Sequence, residues 1–157
     1  MEDARFEDAD EGPLRLMALD DKDLQVISAL VQDAVFPATE MTWDSKTRRF
    51  AVLLNRFRWE LADKAKKQRR NFERVQSVLV VEDVMKVAST GIDRTDPDLV
   101  LSLLAITFEA GEDGTGRVVL ALAGDGDIAL DVEALEVRLK DVTRPYVAPS
   151  RRQPTHD

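Results

Sequence analysis

Apolar and polar positions alternate along most of this chain, and one stretch keeps helical spacing instead. Leu24, Ile27, Leu30 and Val31, followed by Ala34, fall at i, i+3, i+6 and i+7, the stripe a helix buries on one side. Asp20-Asp21-Lys22-Asp23 offers N-cap oxygens and first-turn negative charge ahead of it, and Pro37 stops any continuation. A short strand over Leu14–Leu19 precedes this helix. Met41-Thr42-Trp43 and then Arg48–Trp59 read as strands around a polar turn at 44–47. In the longer one Phe50, Val52 and Leu54 share one face and Leu53, Phe57 and Trp59 the other, so both faces begin apolar and need cover.

Strand periodicity returns over 72–89 as one or two strands. Asp93–Asp98 is a turn, Leu99–Glu109 a nearly continuous apolar strand, and Gly111–Gly116 the loop of a hairpin that returns through Arg117–Leu122. Gly124-Asp125-Gly126 is a tight turn needing positive φ, and Asp127–Asp131 alternates cleanly after it. The alternation slips phase at Glu133-Ala134 and again between Val81 and Val84. A one-residue slip reverses a strand's facing, so a bulge or bend is expected at each. Two readings of 131–142 stand: a strand that resumes after the slip, or a helix through Val132, Leu135, Leu139 and Val142.

Phe50–Val84 is echoed at an offset of 51 residues by Leu101–Leu135, with Phe57 on Phe108, Val81 on Val132 and Glu82 on Glu133. The expected fold is therefore α+β: an antiparallel sheet of two related β-units, 42–92 and 93–143, with one N-terminal helix packed on it. The alternative, a partly closed barrel resembling the pleckstrin-homology type, requires 131–142 to be helical. The folded domain is expected over 13–143. Residues 1–12 form an acidic leader with little to bury, and 144–157, rich in proline, a mobile tail.

Composition narrows the function classes. A net charge of −8 disfavours a surface that tracks nucleic acid, whose affinity comes from an excess of Lys and Arg. No apolar run approaches the roughly 20 residues that span a bilayer, so no membrane association is expected. The absence of cysteine removes disulfides and thiolate chemistry and fits the cytoplasm.

The runs Leu14–Asp20 (LRLMALD), Gln32–Val35 (QDAV), Arg49–Trp59 (RFAVLLNRFRW) and Val100–Phe108 (VLSLLAITF) together resemble an alphaproteobacterial family of uncharacterised proteins, domain-of-unknown-function family 2948. The likeness extends over about residues 14–143, and the LNRF-x-W piece is its most specific part. The resemblance implies a bacterial cytosolic protein and supplies no reaction, cofactor or catalytic residue.

Catalytic chemistry has few candidates. The one histidine, His156, lies in the tail, and no Ser-His-Asp set, phosphate-binding loop, dinucleotide fingerprint or H-E-x-x-H is present. What remains is a small enzyme using paired carboxylates in an unlocated pocket. The acidic turns Glu112-Asp113 and Asp125–Asp127 are calcium candidates by ligand type, but they lack the order of a calcium loop and are already explained as hairpin turns. No catalytic residue, cofactor or metal is therefore assigned. The sharpest feature is basic: Lys64, Lys66, Lys67, Arg69, Arg70 and Arg74, with Arg56, Arg58 and Trp59 just upstream. In an acidic chain this concentration makes a local positive field, with Trp59 as a stacking platform. A non-catalytic binding or assembly module is expected, contacting a protein partner or an anionic ligand through this loop. Its competing reading is a solvated hairpin loop with Trp59 in the core and the arginines paired to neighbouring acids. An open strand edge would also permit pairing into a homo-oligomer.

Overall fold

A computed structural model describes residues 13–61, 73–93, 95–142 and 146–147. Among them are eleven strands, one α-helix and two 3-10 turns, an α+β fold with an antiparallel sheet. β1 (Arg15–Ala18) leads into α1 (Asp21–Leu30), whose N-cap is Asp20: its carboxylate accepts from the Asp23 amide at 2.9 Å, one of the four donors a helix start leaves unbonded. Asp20→Ala is expected to cost about 1 kcal/mol, read as a lower denaturant midpoint with an unchanged slope. Leu24, Ile27 and Leu30 are buried, the stripe expected from the spacing.

After α1 come β2 (Val35–Pro37), β3 (Met41–Asp44), β4 (Arg49–Phe57), β5 (Glu73–Val81) and β6 (Val84–Thr90). β7 (Val100–Ala110), β8 (Gly116–Leu122), β9 (Asp127–Val132), β10 (Val137–Asp141) and β11 (Tyr146–Val147) complete the order. The sheet runs β1-β10-β5-β4-β2-β7-β8-β9-β6, with β3 added to β4 and β11 to β5. The helical reading of 131–142 is thereby overturned. Val137, Leu139 and Asp141 face inward and Arg138 and Lys140 outward, the period of two that only a strand provides. The tail expected beyond 143 contributes β11 at 146–147; its other residues from 148 on, the acidic leader and 62–72 lie outside the described residues.

Both phase slips are corners. Asp83 adopts the left-handed conformation (φ 57°) between β5 and β6, and the stretch from Glu133 to Glu136 separates β9 from β10. The two corners bond to one another, Glu82 N to Glu136 O and Glu133 N to Asp83 O, each 3.0 Å. Beyond them the strands exchange partners: β5 pairs with β10, and β6 with β9. At the 51-residue offset β4 falls on β7, β5 on β9 and β6 on β10. The core lies between the inward rows of these strands and α1, with Phe36 of β2 buried where β4 and β7 meet.

Candidate binding surface and its buried ionic root

The inward row of β4 is Phe50, Val52, Leu54 and then Arg56; that of β5 is Val75, Ser77, Leu79 and Val81; that of β10 is Val137, Leu139 and Asp141. Register brings Leu54 and Asp141 opposite Ser77 from its two sides, so the core-facing rows of three adjacent strands turn polar at the same end of the sheet. There the Asp141 carboxylate accepts from Arg56 Nη2 through both oxygens at 3.0 Å, from Arg56 Nε at 3.2 Å and from Ser77 Oγ at 2.6 Å. It also takes the Leu14 amide at 2.8 Å, fastening the chain just ahead of β1. The other side of the Arg56 guanidinium makes a second fork, Nη1 and Nη2 to the two oxygens of Glu60 at 3.0 Å. Arg56 is 0% and Arg58 2% exposed, and the Glu60 side chain is fully buried.

A buried cation survives only when fully paired. Burial is the strongest influence on Arg56 and opposes its charge, yet hydrogen bonds and attraction from Glu60 and Asp141 together hold its pKa above the ordinary arginine value. A raised folded-state pKa contributes stability that is present below the unfolded pKa and lost only as pH rises through the folded one. Both lie far above neutrality, so this contribution is constant over ordinary pH.

Arg58 joins the ends of the basic connection. Its guanidinium pairs with Glu73 at 3.0 Å and lies 3.5 Å from Glu60, and its amide donates to the Glu73 carbonyl at 3.0 Å. Glu60 precedes the connection, in the 3-10 turn Trp59–Leu61, and Glu73 follows it. The sequence expectation that Arg56 and Arg58 belong to an exposed contact surface is corrected on this geometry: both are consumed internally. Trp59 is half-buried against the core. Its Nε1 donates to the Gln32 carbonyl at 2.8 Å and its ring is tilted 56° on Phe57, so it is packed in place and not presented as a stacking platform. Arg74 differs. Its guanidinium carbon lies 4.1 Å from the centre of the Phe57 ring, its Nε has no hydrogen-bond partner, and no described carboxylate pairs with it. Lys64, Lys66, Lys67, Arg69 and Arg70 lie outside the described residues.

Sequence reasoning missed Glu60, Glu73, Ser77 and Asp141. The available signal was phase: Arg56 continues the even-numbered row of Phe50, Val52 and Leu54, which places it inward despite its charge. Two open hollows among the described residues lie away from this site. One of about 260 Å³ between β3 and β6 is lined by Met41, Thr42, Trp43, Phe50, Val87, Ser89 and Ile128, none of them ionisable. The other, about 350 Å³, lies on the outer face of β6, β9, β8 and β7 and carries alternating charges. Among the described residues no three acidic, His or Cys side chains come together to hold a metal, the acidic turns at 112–113 and 125–127 included. No described helix is long and apolar enough to cross a membrane.

Fold and site together define an antiparallel α+β protein with a buried arginine–carboxylate cluster where a basic connection leaves and rejoins the sheet. The chain belongs to the family described as "Protein of unknown function (DUF2948)", whose model matches residues 14–156. No curated protein and no solved structure matches it.

Proposed function

We propose that this is a non-catalytic binding or assembly module of the bacterial cytoplasm, which engages an acidic protein partner or anionic ligand through the basic connection between β4 and β5. The contact residues are Lys64, Lys66, Lys67, Arg69 and Arg70, with Arg74 at the base. The single observation that carries this reading is the Arg58 clamp: one buried guanidinium holds Glu60 and Glu73, so the two ends of the connection are fixed on a rigid root. Anchoring both ends reduces the conformational entropy lost when such a segment binds. Arg74 supports the reading too, as a cation already stacked on Phe57 and paired with no carboxylate among the described residues. The buried carboxylates Glu60 and Asp141 are engaged with Arg56 and its neighbours. The two β-units are read as copies of one ancestral unit, supported by the strand correspondence at the 51-residue offset.

The test is capture from native lysate on immobilised protein, compared with the Lys66→Glu/Lys67→Glu/Arg69→Glu/Arg70→Glu variant. A retained partner that disappears with the variant, while circular dichroism and thermal midpoint stay those of the native protein, is the expected outcome. Equal retention by both proteins refutes the reading.

A further inference from the structure

The outer face of β6, β9, β8 and β7 carries a charged ladder. Cross-strand register sets Lys86 opposite Asp131, Asp131 opposite Arg117, and Arg117 opposite Glu109, one row across four strands with the signs plus, minus, plus, minus. Arg117 Nε and Asp131 Oδ1 are 3.0 Å apart, while Lys86 and Glu109 at the two ends are exposed with no described ion-pair partner. The next row along the strands is Ala88, Ala129 and Val119, side chains small enough to let another surface approach. The opposite face of the same strands is core, formed by Val118, Leu120, Ile128 and Leu130. No described element packs on the outer one, since α1 lies against β7, β1 and the 3-10 turn that follows β4.

We infer that this face is a homodimer interface, whose occupant is the same face of a second copy related by a two-fold axis running along the strands between β8 and β9. That operation reverses the strand order but keeps each row at its own height. Lys86 then meets Glu109 of the second copy, Asp131 meets Arg117, and each contact occurs twice. A four-member row of alternating sign is its own complement under reversal, whereas the patterns plus-minus-minus-minus or plus-plus-plus-minus are not. Face-to-face sheets pack about 10 Å apart, a spacing the alanines permit. The contact is confined to one face of four strands, and the association is concentration-dependent. At physiological ionic strength charges are screened beyond about 8 Å. The net charge of −8 on each copy is then attenuated while the contact pairs persist.

Sedimentation velocity on the full chain across a concentration series, at physiological salt, tests this. The native protein should pass from monomer to dimer. Arg117→Asp alone and Asp131→Arg alone each set like charges face to face and should weaken dimerisation at least ten-fold. An equimolar mixture of the two single variants pairs plus with minus at every position and should form the heterodimer. The double variant Arg117→Asp/Asp131→Arg restores both the pair within each chain and self-complementarity, and should dimerise again. Circular dichroism and thermal midpoint of each single variant, required to match the native protein, separate a lost interface from a lost fold. A native protein that stays monomeric throughout, single variants that dimerise like it, or a mixture that stays monomeric overturns the inference. Charge reversal at residues 66–70 should leave dimerisation unchanged, so this interface and the basic connection stand or fall separately.

Discussion

Arg56→Met should destabilise the fold by about 3–5 kcal/mol, the range for removing one partner of a buried ion pair. The cost comes less from lost attraction than from what remains: Asp141, 6% exposed, and the buried Glu60 lose the guanidinium that bonds them both. Domains of this size have roughly 5–15 kcal/mol in total, so the variant approaches the unfolding threshold at 37 °C. Two further variants define the comparison. Asp141→Asn keeps an acceptor for the Leu14 amide but removes the charge. The pair Arg56→Met/Asp141→Asn should cost less than the sum of its members, because it strands fewer charges. Equilibrium denaturation of the three variants gives the coupling directly; additive losses would mean that Arg56 and Asp141 do not act on each other.

Phe36→Ala is the second large effect, expected at about 3–5 kcal/mol. Phe36 is 2% exposed in β2, a three-residue strand that sits between β4 and β7 and joins the two halves of the sheet. Truncation leaves a cavity at that junction, and little local structure is available to collapse into it. Hydrogen exchange should locate the damage: the Leu103 amide, bonded to Ala34 O, and the Ala38 amide, bonded to Leu99 O, should lose protection ahead of the β4–β5 pairing. Uniform loss across the sheet would place the junction elsewhere.

Local features of this fold were legible in the sequence because they depend on neighbours in the chain. The helix start at Asp20, the Gly124-Asp125 turn with φ of 85° and 69°, and the strands on either side of each phase slip all follow from spacing and turn chemistry. Strand partnership did not, because β1 with β10 and β6 with β9 are paired by the closing of the sheet, over sequence separations that no periodic pattern encodes. At 131–142, good helix formers gave a competing local preference, and the pairing with β5 and β1 decided against it. The site divided in the same way. Arg56 carried two contradictory signals, an inward phase and a charge that normally stays in water, and they are reconciled only by Asp141, 85 residues away. Arg58 needed Glu73, across the connection. The acidic partners are ordinary residues in a chain with many carboxylates, and nothing local distinguishes them.

The most direct measurement on the proposed role is the affinity for the captured partner as a function of salt. Binding carried by Lys64, Lys66, Lys67, Arg69, Arg70 and Arg74 should weaken steeply and steadily as ionic strength rises, and the four-fold charge reversal should abolish it at every salt concentration. Affinity that is indifferent to salt, or that survives the reversal, contradicts a basic connection as the contact surface.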